Sequence, residues 1–190
     1  MKKILSIVFC VLLVFIVLAC GPTLGSQIQI TTVPEPSVEP PEFTRQPSVT
    51  IGFFKDVRPG NYVVKHYETL VQPSNSVSFE VEDVLRRTLV NAGFLVNSAA
   101  PVIIKGEIRQ WVVDIKSNFP IKLDSKATLW IEIIGPDNKR IYSGIYLGTG
   151  HFEKVAVENK DLQNTLNIAM TAAISGIVKD KKLLSILSSF

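Results

Sequence analysis

The feature that most constrains this chain of 190 residues is a pair of long stretches in which apolar and polar side chains alternate. A period of two belongs to extended backbone, whose successive side chains point to opposite faces. Between Val102 and Ile115 the alternation predicts Ile104, Gly106, Ile108 and Val112 on one face and Lys105, Glu107, Arg109 and Trp111 on the other. Between Ile121 and Ile134 it turns Leu123, Ala127, Leu129, Ile131 and Ile133 inward and Lys122, Asp124, Lys126, Thr128 and Glu132 outward. Such strands build an antiparallel sheet with one buried and one wet face. Gly135 to Asn138 is a turn by composition. Arg140 to Leu147 returns with Ile141, Ile145 and Leu147 on one side and Tyr142 and Tyr146 on the other, wet side. Gly148 to Lys160 reads as loop, with at most a brief strand at His151 to Val155.

An earlier strand starts at Ser48, with Val49, Ile51 and Phe53 on its inner face; short strands are expected within Tyr62 to Leu70 and at Phe94 to Val96. Two segments carry a helical period instead. In Ser78 to Ala92 the residues Val81, Val84, Leu85, Leu89 and Ala92 form one stripe, with Ser76 or Ser78 as cap and Gly93 as stop. Glu82 with Arg86 and Asp83 with Arg87 have the spacing of solvated helix pairs. From Asp161 a longer stripe runs through Leu162, Leu166, Ala169, Met170, Ala173, Ile174 and Ile177, and Asp180 can cap a last short helix. The fold class that follows is α+β: a two-layer sandwich with a mixed, mostly antiparallel sheet and two main helices packed on one face. The first strand, first helix and next strand form a parallel crossover unit, and the remaining strands a meander.

The first twenty residues say where such a domain sits. Lys2 and Lys3 precede an apolar run from Ile4 to Leu18 that ends on Ala19 and Cys20. This is the layout of a secretory signal, and the run is shorter than the roughly 20 residues a membrane-spanning helix needs. The cysteine behind the cut makes it resemble a bacterial lipoprotein signal, in which Cys20 receives a diacylglycerol, palmitate-type acyl chains follow, and cleavage falls between Ala19 and Cys20. The expected organisation is a signal over 1 to 19, a lipidated, proline-rich tether over 20 to 47 and one domain over 48 to 190. Six of the eleven prolines lie in that tether, which could reach roughly 80 Å if extended.

Cys10 leaves with the signal and Cys20 becomes a thioether, so the domain keeps no thiol for a disulfide or metal. The net charge of +3 falls to +1 once Lys2 and Lys3 are removed, which gives nucleic acid no electrostatic footing. His66 and Glu68, and His151 and Glu153, are each spaced to share a strand face, yet two such pairs do not make a metal site without convergence. The expectation is no metal and no cofactor. No GxSxG, SxxK or HExxH is present, so no catalytic residue is assigned and the chain is read as a non-enzyme, an envelope hydrolase being the least favoured alternative. Asp56 and Arg58 could meet a polar ligand or pin a loop. With Trp111 and Trp130 on the wet face they make the candidate binding surface.

Several of these stretches together resemble the YajG-type family of bacterial lipoproteins. They are the end at Cys20, the strand leading into Phe54, Lys55, Asp56, Val57 and Arg58, the helix end LVNAGFLV from Leu89 to Val96, and the run from Ser125 to Ile131. The resemblance implies an acylated, envelope-facing α+β domain and no catalytic residues. The expected role is a membrane-anchored binding or adaptor module facing the periplasm, held by its acyl chains and partnered by an envelope protein or glycan. An auxiliary subunit of an envelope transport or cell-wall synthesis machine is the rival. Gly21, in place of aspartate, points to the outer membrane under enteric-type sorting.

Overall fold

The structure is a computed structural model that describes residues 27–30, 33–37 and 46–190. Ala19 and Cys20 lie outside the described residues. The elements run β1 (Gln27–Ile28), β2 (Ser48–Asp56), β3 (Val64–His66), β4 (Thr69–Pro73), α1 (Val77–Asn91), β5 (Leu95–Val96), β6 (Ile103–Lys116), β7 (Ile121–Ile134), β8 (Arg140–Lys154), α2 (Asn159–Lys179) and α3 (Lys181–Leu187). All eight strands join one mixed sheet with the two main helices packed against it, which is the α+β class the periodicities predict.

β6 is the spine of that sheet. Along one side it pairs antiparallel with β7 over nearly its whole length, and β7 pairs in the same way with β8. Along its other side two strands follow one another, both parallel to it: β2 from Ile103 to Ile108, then β3 at Val113 and Asp114. β5 pairs parallel with β2, so β2, α1 and β5 form the expected crossover unit. β8 pairs with β7 alone and leaves its other edge open among the described strands.

The helices form where the stripes predict. Ser76 caps α1 by accepting from the backbone N–H of Phe79 at 3.3 Å, and Gly93 ends the helix with φ at 89°, a conformation that favours glycine. Val81, Val84, Leu85 and Leu89 are buried, each stabilising the fold by about 1.5–3 kcal/mol. α2 buries every member of its predicted stripe from Leu162 to Ile177. Asp161 sits one turn inside α2, where its carboxylate accepts from the Glu158 backbone N–H at 2.9 Å and from Lys154 Nζ at 2.7 Å. Asp83 and Arg87 pair at 2.9 Å as expected. Glu82 instead reaches inward, and its carboxylate accepts from the Phe54 backbone N–H at 2.8 Å.

That last contact explains a correction. The β2 ladder against β6 shifts register between Ile51 and Phe54, so Phe54 is fully buried and Phe53, expected inside, is 68 % exposed. A bulge reverses the parity of everything after it, and Glu82 binds an amide at the irregularity. The proline-rich segment also departs from the expectation of an extended, solvated tether. Ile28, Ile30 and Val33 are buried, β1 adds to β4 in parallel, and Thr171 Oγ1 donates to the Pro34 carbonyl at 2.9 Å. Arg87 and Asn91 both bond the Glu35 carboxylate.

Candidate functional site

Among the described residues, the face of β6, β7 and β8 turned away from the helices is open, and strand register sets what it displays. Reading across the three strands, Lys105, Glu132 and Ser143 form one row, Glu107, Trp130 and Ile145 the next, then Gln110, Thr128 and Leu147. Towards the other end come Val112, Lys126 and Thr149, then Asp114, Asp124 and His151. Trp130 stands on this face as predicted, and the Arg109 guanidinium lies 5.4 Å from its ring centre, within cation–π range. Glu107 holds the same guanidinium at 2.9 Å.

Trp111 does not share that face. The β6 ladder shifts register between Ile108 and Gln110, so Arg109 is the extra residue of a bulge. From there on the inward parity passes from even to odd numbers, and Trp111, Val113 and Ile115 are buried. The indole Nε1–H donates to the Leu166 carbonyl of α2 at 3.0 Å, so Trp111 joins sheet to helix and offers no ligand platform. The same bulge presents Arg109 and Gln110 to the outer face, residues that the simple alternation treats as unremarkable strand positions.

β8 also inverts the expectation. It continues unbroken to Lys154, and Ile145 and Leu147 point outward at 57 % and 69 % exposure while Tyr146 is buried. The reason is glycine. A Cβ on Gly148 would lie 1.9 Å from the Ala169 carbonyl oxygen, and one on Gly150 would lie 2.8 Å from that of Thr165, so α2 crosses β8 directly on these residues. The inner face of β8 is therefore the Tyr142, Tyr146, Gly148 and Gly150 face. Both tyrosine hydroxyls donate to the Asp180 carboxylate, Tyr142 at 2.6 Å and Tyr146 at 2.8 Å. Asp180 also caps α3 by accepting from the N–H groups of Lys182 and Leu183. Burial opposes the charge on Asp180, but the tyrosine hydroxyls and backbone donors outweigh it and lower its pKa. Burial, with the neighbouring hydroxyl and carboxylate, pushes the Tyr146 hydroxyl well above the ordinary tyrosine range.

Asp56 and Arg58 do come together. Arg58 Nε and Nη2 donate to the two Asp56 oxygens at 2.8 Å each, and Nη1 donates to the Tyr62 carbonyl at 2.8 Å. With its side chain 3 % exposed, Arg58 pins the loop from β2 to β3 across the middle of β6. Burial disfavours the Asp56 charge, yet the bidentate guanidinium holds its pKa below the usual carboxylate value. Beside this pin lies a hollow of about 340 Å³, lined by Tyr62, Arg109, Gln110 and Thr128 among others. A larger hollow of about 640 Å³, lined by Lys65, Val112, Asp114, Lys126, Thr149 and His151 among others, continues along the same face.

The two histidines stay apart. His66 bonds the Ser117 hydroxyl at 2.6 Å, whereas His151 lies between Asp124 at 2.7 Å and Glu153 at 3.2 Å. Those two carboxylates raise the His151 pKa, Asp124 most. Lys116 and Lys122 occupy the same acids at 2.6 and 3.1 Å, which makes the group an exposed ion-pair lattice.

The Lipoprotein_16 family model, described as uncharacterized lipoprotein, matches residues 52–188. The chain belongs to this lipoprotein family. Among solved structures it resembles protein XCC0632 from Xanthomonas campestris, at TM-score 0.61 and 10 % identity, over 86 % of this chain and 98 % of that one. More distant likenesses are a minor lipoprotein from Acinetobacter baumannii (TM-score 0.46, 9 % identity, 75 % and 93 % covered) and the PelC dodecamer from Paraburkholderia phytofirmans (0.42, 12 %, 73 % and 93 %). At these identities the likeness concerns the fold alone. No curated protein matches the chain. No helix among the described residues of this lipoprotein is long and apolar enough to cross a membrane.

Proposed function

We propose that this lipoprotein is a non-enzymatic adaptor of the YajG type, anchored through acyl chains on Cys20 to the periplasmic side of the bacterial outer membrane. It engages an envelope protein through the open face and free edge of the β6–β8 meander. The observation that carries this reading is β8 itself. Fifteen residues long, it lies at the sheet edge, contains no proline, and carries no charge between Arg140 and His151, while Ile145 and Leu147 stand out in solvent. Natural edge strands are normally blunted by lysine, proline or a covering element, because their unpaired backbone groups recruit another strand. An edge left long and apolar is suited to strand addition, in which main-chain bonds supply affinity and alternate side chains supply selection. Trp130 and Arg109 beside the edge add an aromatic and cationic anchor of the kind enriched at binding hot spots. This favours a polypeptide partner over a glycan, and so the role of an auxiliary subunit within a larger envelope assembly. The outer-membrane placement leans on Gly21 behind the lipidated cysteine.

A photoreactive residue at Thr149, on the outer face of β8, tests the reading in intact cells. The expected result is capture of one discrete envelope protein, abolished by Leu147→Asp without loss of the lipoprotein. Diffuse adducts, or capture indifferent to that substitution, would contradict it.

A further inference from the structure

The three most exposed large apolar side chains among the described residues are Phe119 at 83 %, Tyr67 at 73 % and Val155 at 71 %. They are far apart in sequence and meet at one end of the sheet. Phe119 lies at the turn from β6 to β7, and Tyr67, with φ at 51°, at the turn from β3 to β4. The bond from His66 to Ser117 ties these two turns together. Val155 follows Lys154, which pairs with Ile121, the first residue after the β6–β7 turn.

The path of the chain makes this end special. β1 runs parallel to β4 with Gln27 beside Gln72 and Ile28 beside Pro73, so the polypeptide enters β1 from the side of Thr69 and the Tyr67 turn. From Gln27 onward it travels away from that end along α2. The Gln29 carbonyl accepts from Gln163, and the Pro34 carbonyl from Thr171, two turns further along the helix. Cys20 is seven residues ahead of Gln27, a separation that full extension limits to about 25 Å. An acyl anchor at Cys20 is therefore leashed close to the end where Phe119, Tyr67 and Val155 protrude.

We infer that this end is a membrane-contact surface. Phe119, Tyr67 and Val155 dip into the interfacial layer of the same leaflet that holds the acyl chains, and the β6–β8 meander stands up from the bilayer with its β7–β8 turn outermost. The inference rests on the anchored reading above. Aromatic and aliphatic side chains presented at a lipid surface gain free energy from apolar burial in that layer. Charge contributes little to selecting the lipid: Lys116, Lys122 and Lys154, three of the lysines around the tips, are already paired with Asp124, Glu153 and Asp161. Contact should therefore depend on the apolar tips and respond little to salt or to the fraction of anionic lipid.

The test uses the full, acylated chain reconstituted into phosphatidylcholine vesicles, with a spin label on Asn118→Cys or, as control, on Asp137→Cys at the opposite end. Flotation reports the anchor, and collision with oxygen or with a water-soluble nickel chelate reports depth. The expected result is that both proteins float, that the label at 118 is several-fold less accessible to nickel and more accessible to oxygen than the label at 137, and that adding Tyr67→Ser and Phe119→Ser returns it to water. Flotation with both labels equally open to nickel overturns the contact surface and leaves the anchor standing. A label shielded from both reagents is covered by protein, which also overturns it. A chain that does not float overturns the anchored reading, and the contact surface with it.

Discussion

Trp111 and Asp180 show how single residues bind the two layers of this molecule together. Trp111 fills the space beneath α2 and donates to Leu166, so Trp111→Phe should cost about 1–3 kcal/mol through the lost hydrogen bond and the gap left by the smaller ring. Chemical denaturation of both proteins would measure it. Asp180 gathers Tyr142, Tyr146 and the α3 N-terminus, and its lowered pKa fixes the sign of a pH effect. A carboxylate ionised more readily in the folded chain contributes stability above its ordinary value of 3.8, and that contribution is lost as pH falls through the depressed value. Tyr146 works in the other direction. Its raised pKa means stability is full below 10.0, where the unfolded chain keeps its proton, and declines as pH rises beyond it. Melting temperatures from about pH 2 to about pH 11 should fall at both ends. Asp180→Asn should flatten the acid limb, and Tyr146→Phe the alkaline one.

At the scale of elements, the bulge in β6 separates what the sequence reveals from what it hides. β7 alternates without interruption, and its inward residues Leu123, Ala127, Leu129, Ile131 and Ile133 are the ones found buried. The stripe of α2 is equally plain because 21 residues repeat the same period over about six turns. In β6 and β2, however, one irregularity each reverses the parity, and an amphipathic tryptophan or a pair of adjacent phenylalanines gives no sign of which phase wins. β8 misleads for another reason. Its inner face is made of glycines so that α2 can approach, which leaves its aliphatic residues outside. Two predictions follow at this scale. Gly148→Ala should cost about 1–3 kcal/mol or more, because the new methyl overlaps the α2 backbone at Ala169. Deleting Arg109 should be milder than deleting Lys105. The first removes the extra residue and leaves Trp111 inward, with a loss of roughly 0.5–3 kcal/mol, while the second reverses the faces of Gly106, Glu107 and Ile108 ahead of the bulge. Near-ultraviolet circular dichroism would separate a folded from a collapsed product.

For the whole molecule, fold and placement were legible to different degrees. The α+β sandwich follows from periodicity, and the lipoprotein family is shown by its own match. The open face was half legible: Trp130 stands where alternation puts it, but Arg109, Ile145 and Leu147 owe their exposure to a bulge and to helix packing that no local pattern records. The docking of Ile28, Ile30 and Val33 was hidden as well, since three apolar residues among prolines have no period to read. These contacts bring the chain onto the domain by Gln27, seven residues after Cys20. Mass spectrometry of the N-terminal peptide from membranes of the native host decides whether the mature chain begins at an acylated Cys20: a first residue Cys20 carrying a thioether-linked diacylglycerol is expected, and an unmodified Cys20 or a mature start at any other position overturns the anchored reading.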